Sequence, residues 1–186
     1  MKKENGSAPI SFSSVMGIDP GTRESAYVIW NGQEITDMGK VSNKFMLSVI
    51  EDHAPDPSIH CGMEMVKSFG PDMPVGDSIF LTVFWLGRFF ERWQAHGGPK
   101  PTMIYRQEVK KHFKLGRKIS DTLLRHRIIR MFVGDPDKKI IPAELKGVSG
   151  DCWSALGIAI TLLDQTCRRL RHWPPHWRHA HLELPL

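Results

Sequence analysis

Val15-Met16-Gly17-Ile18-Asp19-Pro20-Gly21-Thr22 is the stretch that decides the fold of this 186-residue chain. Val15 to Ile18 has no alternating polar face, which predicts a strand covered on both sides and therefore central in its sheet. The strand ends in a carboxylate, Asp19, followed at once by the breakers Pro20 and Gly21. A charge at the end of a buried strand is costly unless it is paired or bound to a cation, so something positive is expected beside Asp19.

Outward from that strand, Ala26 to Trp30 and Glu34 to Val41 read as two more strands joined around Asn31-Gly32, a strong hairpin signal. Residues 43 to 53 predict a helix ended by Pro55 and Pro57, and Ile59 to Val66 a short apolar strand carrying Glu64. The segment Asp77 to His96 is apolar nearly all round in its first three turns and amphipathic beyond them. That pattern predicts a buried helix, in part against another subunit. Met103 to Tyr105 reads as a strand, Gln107 to Phe113 as a short basic helix, and Ser120 to Phe132 as a helix with a Ser N-cap. After Gly147 and Gly150, the span Asp151 to Arg171 repeats Ala155, Leu156, Ile158, Ala159, Leu162 and Leu163 at helical spacing. Hairpin strands followed by strands alternating with helices imply an α/β protein: a mixed sheet of antiparallel hairpin strands plus parallel strands, covered by helices. Residues 1–13 are expected to form a disordered arm, 14–171 one domain, and 172–186 a tail rich in Pro, His and Trp.

The 41 % hydrophobic content is enough for a real core, and the net charge of +5 suits a polyanionic partner without deciding for one. Three cysteines, Cys61, Cys152 and Cys167, form no CxxC or Cys/His cluster. A disulfide scaffold or zinc site is therefore not expected, and a reducing, cytoplasmic location is. No apolar stretch follows the opening lysines, so no secretory signal is expected. The longest apolar run, Ile79 to Phe90, contains Gly87 and Arg88 and is too short to span a bilayer, so no membrane partner is expected either.

Glu64 repeats the situation of Asp19 inside Cys61-Gly62-Met63-Glu64-Met65-Val66, and Asp151 opens an apolar helix after two glycines. If the two strands are neighbours and the helix packs across them, three carboxylates converge on one end of the sheet. That is the oxygen-ligand set preferred by Mg²⁺ or Mn²⁺. The ordinary alternatives are a turn-shaping role for Asp19 and a helix N-terminal role for Asp151; Glu64 follows a strand and has no such excuse. Lys110, Lys111, Lys114, Arg117 and Lys118 form a dense positive stretch around Gly116, flanked by Arg106 and Arg125. Such charge either contacts phosphates or is a solvated face.

Taken together these residues resemble the RuvC family of Holliday-junction resolvases, within the RNase H-like superfamily. Gly17-Ile18-Asp19-Pro20-Gly21-Thr22 is similar to that family's opening strand, Met63-Glu64-Met65-Val66 to its second acidic strand, and Asp151 with Ser154-Ala155-Leu156-Gly157-Ile158-Ala159 to its closing acidic helix. Leu86-Gly87-Arg88 falls in the place of its buried Gly-containing helix, and Arg106 to Met131 resembles its basic segment. The likeness runs from about Val15 to Leu163.

The resemblance implies hydrolysis of DNA phosphodiesters with two Mg²⁺ or Mn²⁺ ions, Asp19 bridging them and Glu64 and Asp151 completing their shells. It further implies Lys118 near the catalytic centre, DNA contacts from Arg106, Lys110, Lys111, Lys114 and Arg117, and a four-way or otherwise branched DNA substrate. A phage or bacterial origin fits that picture. Two departures stand out. Where the family has a further acid one turn into the closing helix, this chain has Ser154, whose hydroxyl can hold a metal-bound water but supplies no charge. Where many members carry a base-stacking aromatic it has Lys67, with Phe69 the nearest substitute.

A homodimer is expected because a four-way junction offers two equivalent strands, with Phe84, Phe89 or Phe90 as interface candidates. The competing readings are an RNase H-type or flap nuclease of the same fold, and a DNA-binding module without activity.

Overall fold

A computed structural model describes residues 14–66, 76–116, 120–133 and 141–170. Lys67, Phe69, Arg117 and Lys118, and the expected arm and tail, lie outside the described residues. The chain runs β1 (Ser14–Asp19), β2 (Glu24–Trp30), β3 (Ile35–Ser42), α1 (Asn43–His53), β4 (Ile59–Met65), α2 (Asp77–Ala95) and β5 (Thr102–Tyr105). It continues with α3 (Arg106–His112), α4 (Asp121–Val133), a 3₁₀ turn at Ala143–Leu145, and α5 (Cys152–Leu170). The strands form one sheet in the order β3-β2-β1-β4-β5. β1 pairs antiparallel with β2, and β2 with β3; β1 pairs parallel with β4, and β4 with β5. This is the mixed sheet expected, with β1 at its centre.

Alternation along the strands divides the core in two. Val15, Ala26, Val28, Trp30 and Ile104 pack under α3, α4 and α5, while Met16, Ile18, Tyr27, Ile29, Cys61 and Met63 pack under α1 and α2. The two helical layers meet the sheet differently. α5 lies directly on the strand backbones, because Gly17 and Gly62 present no side chain to it: a Cβ at Gly17 would overlap the Ala155 carbonyl oxygen and stand 2.7 Å from the Ala159 nitrogen.

α2 corrects its expected burial. Its buried residues are Leu86 at the midpoint and Phe89 and Trp93 beyond it, whereas Phe80 and Phe84 in the first half are 63 % and 58 % exposed. The amphipathic half packs and the all-apolar half does not. Phe89 is a core residue, fully buried, and is withdrawn as an interface candidate.

The β2–β3 connection also departs from a two-residue Asn-Gly turn. The Asn31 side-chain oxygen accepts from the Gln33 and Glu34 amides, both at 2.8 Å, and Gly32 takes φ 95°. This local side-chain cap makes the loop longer than Asn-Gly alone, and a register shift follows at Ile29/Trp30.

Candidate active site

The register of β1 and β4 pairs Gly17 with Gly62 and Ile18 with Met63, which sets Asp19 beside Glu64 at the carboxyl ends of the parallel strands. Residues two apart on a strand share a face. Asp19 and Glu64 therefore point to the side on which Gly17 and Gly62 admit α5, beneath the start of that helix. The loop after Asp19 is fixed from below by a buried polar lock. The Ser25 hydroxyl donates to Asn43 Oδ1 at 2.6 Å, Asn43 Nδ2 donates to the Gly21 carbonyl at 2.9 Å, and the Gly21 amide donates to Ser25 Oγ at 3.1 Å. Sequence reasoning missed this lock; its signal was two polar residues, Ser25 and Asn43, next to buried apolar runs.

The Asp19 carboxyl is pushed up to about 8, first by burial, then by the charge of Glu64 and the hydrogen bond to it, with Arg106 opposing and Asp151 adding. Desolvation and a facing like charge each disfavour the ionised form. The Asp19 carboxyl thus tends to keep its proton beside Glu64. An all-oxygen donor set of this kind fits a hard divalent ion such as Mg²⁺ or Mn²⁺.

Two protein cations attend the acids. Arg106, the first residue of α3, places Nη1 3.4 Å from Glu64 Oε2 and 3.1 Å from Ser154 Oγ, and its Nη2 donates to Asp121. Burial opposes its charge, but Glu64, Asp121 and Asp19 outweigh that and hold it more firmly protonated. Asp151 immediately precedes α5, where its carbonyl accepts from the Ser154 and Ala155 amides at 3.0 and 3.1 Å. Gly147 and Gly150, at φ 88° and 49°, turn the chain into that position through left-handed conformations. The Asp151 carboxylate is half exposed and ion-paired with Lys40 Nζ at 2.9 Å, and Lys40 also reaches Glu24 at 3.6 Å.

Asp19, Glu64 and Ser154 are therefore brought together, with Asp151 at the rim of the same site, held by Lys40. Among the described residues no group of three or more His, Cys, Asp or Glu stands in a ready metal-ligand arrangement; Asp151 is engaged by Lys40 instead. An exposed ion pair of this sort is weak and exchangeable. Lys111 and Lys114 are exposed and Lys110 half-buried, and Lys114 takes the left-handed φ of 51° just past α3. Arg106 departs from these lysines by turning into the acidic centre. Lys40 and Asp121 were not anticipated. A lysine on a sheet-edge strand and an acid opening a helix are common for unrelated reasons, so neither carried a signal.

No protein-family profile matches the sequence, and no curated protein matches it. Solved structures do. A structure of Thermus thermophilus RuvC superposes with a TM-score of 0.54 at 15 % identity, covering 85 % of this chain and 96 % of that one. T. thermophilus RuvC in complex with a Holliday junction substrate gives a TM-score of 0.57 at 16 % identity, covering 85 % and 97 %. At such identity the likeness is one of fold, and the fold of this chain is the RuvC-like form of the RNase H-like sheet.

Proposed function

We propose that the chain is a divalent-metal-dependent endonuclease that cuts branched DNA, four-way junctions foremost. The observation that carries this reading is the Asp19–Glu64 pair, two facing carboxyls held largely out of water at the carboxyl ends of adjacent parallel strands. Arg106 offsets only part of the cost of such a pair, since Asp19 is still pushed up to about 8, and acids held in that way are candidates for function. The exposed Lys111 near the end of α3, Lys114 just past it, and the likeness to a RuvC structure that holds a junction support DNA as the substrate.

In this reading Asp19 and Glu64 would hold Mg²⁺ or Mn²⁺, Asp151 would join them on leaving Lys40, and the Ser154 hydroxyl, hydrogen-bonded to Arg106, lies at the same centre. When bound, such an ion supplies Lewis-acid activation of a water and neutralisation of phosphate charge. The polypeptide does the rest. Its α5 N-terminus and parallel strand ends fix the acids, and Lys110, Lys111 and Lys114 take the phosphate backbone. Lys118, Arg117, Lys67 and Phe69 keep the roles implied by resemblance: Lys118 near the reacting phosphate, the others along the DNA. Cys61, Cys152 and Cys167 are buried free thiols, consistent with a reducing compartment. Among the described residues no helix is long and apolar enough to cross a membrane.

The exposed first half of α2, with Phe80, Leu81, Val83 and Phe84, is proposed to meet a second copy of the chain. A two-fold dimer would present two equivalent sites to a four-way junction. The deciding experiment incubates the purified chain and Mg²⁺ or Mn²⁺ with labelled four-way junction, flap, duplex and RNA–DNA hybrid. The junction is expected to be cut first, by paired nicks. Preference for flap or hybrid would replace the substrate assignment, and metal-independent inertness toward all four would leave a DNA-binding module.

A further inference from the structure

The two cations that attend the acids are not equivalent. Lys40 approaches Asp151 from the sheet edge, with its side chain 46 % exposed. Arg106 is built in: it follows β5 directly, and the strand pairing Met65 with Tyr105 fixes its backbone beside the end of β4. From there its guanidinium fills the space between Glu64 on β4, Ser154 on the first turn of α5, and Asp121 at the start of α4. Ser154 is buried and neutral. A carboxylate at that place would sit on the guanidinium and turn the centre into a binding site for a further cation, whereas a hydroxyl simply accepts a hydrogen bond from it.

A divalent ion binding Glu64 on its Ser154 side would have to take an oxygen that already lies 3.4 Å from Arg106 Nη1. It would meet a fixed positive charge at short range in a partly desolvated place, where repulsion is strongest. On the other side of the centre, toward Asp19 and Asp151, the described residues place Lys40, whose ion pair with Asp151 is half exposed and exchangeable.

Resting on the nuclease reading above, we infer that Arg106 is the built-in second cation of this site, so that the chain holds one divalent ion where the family resemblance implies two. The guanidinium holds the Ser154 side of Glu64, and only the side of the centre toward Asp19 and Asp151 remains open to metal.

The test counts ions directly. Mn²⁺ is titrated into the full-length chain without DNA, the free ion is read by electron paramagnetic resonance, and Arg106→Ala and Arg106→Lys are measured in parallel with wild type. Wild type is expected to bind one Mn²⁺ per chain, Arg106→Ala a second, and Arg106→Lys, which keeps the charge, one. Circular dichroism and melting curves establish that each variant is folded, and the wild-type count stands even if Arg106→Ala is not. Two ions on wild type would overturn the inference and leave the metal-dependent reading intact. One ion on both wild type and a folded Arg106→Ala protein would also overturn it, because the arginine would then not be what excludes the second. No ion on wild type, with cleavage indifferent to metal, would remove the proposed function itself.

Discussion

The two faces of the sheet solve the same packing problem differently. On one, α5 rests on strand backbones through Gly17 and Gly62, with no room for even a methyl group at Gly17. On the other, α2 packs with Leu86, Phe89 and Trp93 and leaves its first half, including Phe80 and Phe84, exposed. Backbone-to-backbone contact leaves little freedom, and the candidate site sits where that contact ends. Side-chain contact leaves spare apolar surface, and the candidate partner face sits there. Position is therefore tightly determined where chemistry needs it and loose where assembly is at issue.

The largest expected effect lies on the tight face. Asp19→Asn is expected to lower cleavage by more than about 10³-fold, with Glu64→Gln and Asp151→Asn non-additive with it, since groups acting as one unit fail together. The same substitution should not unfold the chain. Burial and the facing Glu64 raise Asp19 to about 8, so its charged form costs folding stability as pH rises from the usual carboxylate range through 8. In chelator at pH 8, Asp19→Asn should melt no lower than wild type, and the difference should vanish near pH 4. Near wild-type cleavage by Asp19→Asn would break the link between the tight face and the chemistry.

One substitution made on both faces sharpens the contrast. Gly17→Ala drives a Cβ into the α5 backbone, and overpacking of this kind costs about 1–3 kcal/mol. It should also lift the start of α5 away from Asp19 and reduce cleavage beyond what stability explains. Gly87→Ala lies in the interior of α2 with nothing within 4 Å of the added carbon, and should stabilise by up to about 1 kcal/mol through helix propensity. Thermal melts of the two variants that shift in the same direction would end the distinction.

The loose face has its own test. Phe80→Ser with Phe84→Ser removes two exposed rings, and changes to exposed residues away from special features usually stay within about 0.5 kcal/mol. The melt should barely move while light scattering at micromolar concentration loses the dimer. A dimer that survives would assign assembly to some other surface.

How much of this was legible in sequence follows the same division. The central position of β1, the order of strands and helices, and the placing of Asp19 and Glu64 at strand ends were readable, because periodicity and turn residues act locally; that the two strands are neighbours was a condition of the reading, met by the pairing of β1 with β4. The half of α2 that packs was not. An apolar stretch says that surface wants cover, and says nothing of which neighbour supplies it. Arg106 was read as one of a basic run, and only the pairing of β5 with β4 shows that the first residue of α3 must turn toward Glu64. Lys40 could not be foreseen, since its meeting with Asp151 depends on β3 and the start of α5, 111 residues apart in the numbering, arriving at one rim.

That rim gives the smallest predicted effect and the finest cut. Lys40 and Asp151 are both about half exposed, and exposed pairs of this kind hold each other weakly. If Asp151 must leave Lys40 before it can hold a cation, Lys40→Ala should lower the Mn²⁺ concentration for half-saturation by roughly two- to fivefold, the range such pairs span. The gain should shrink as salt rises, because salt already screens the competing lysine. Arg106, locked among Glu64, Ser154 and Asp121, should show no comparable salt dependence in its effect on ion number. If Lys40→Ala leaves half-saturation unchanged at low salt, Asp151 is not a ligand in competition with that lysine. Its tie to Lys40 would then be a fastening of the sheet edge to the start of α5.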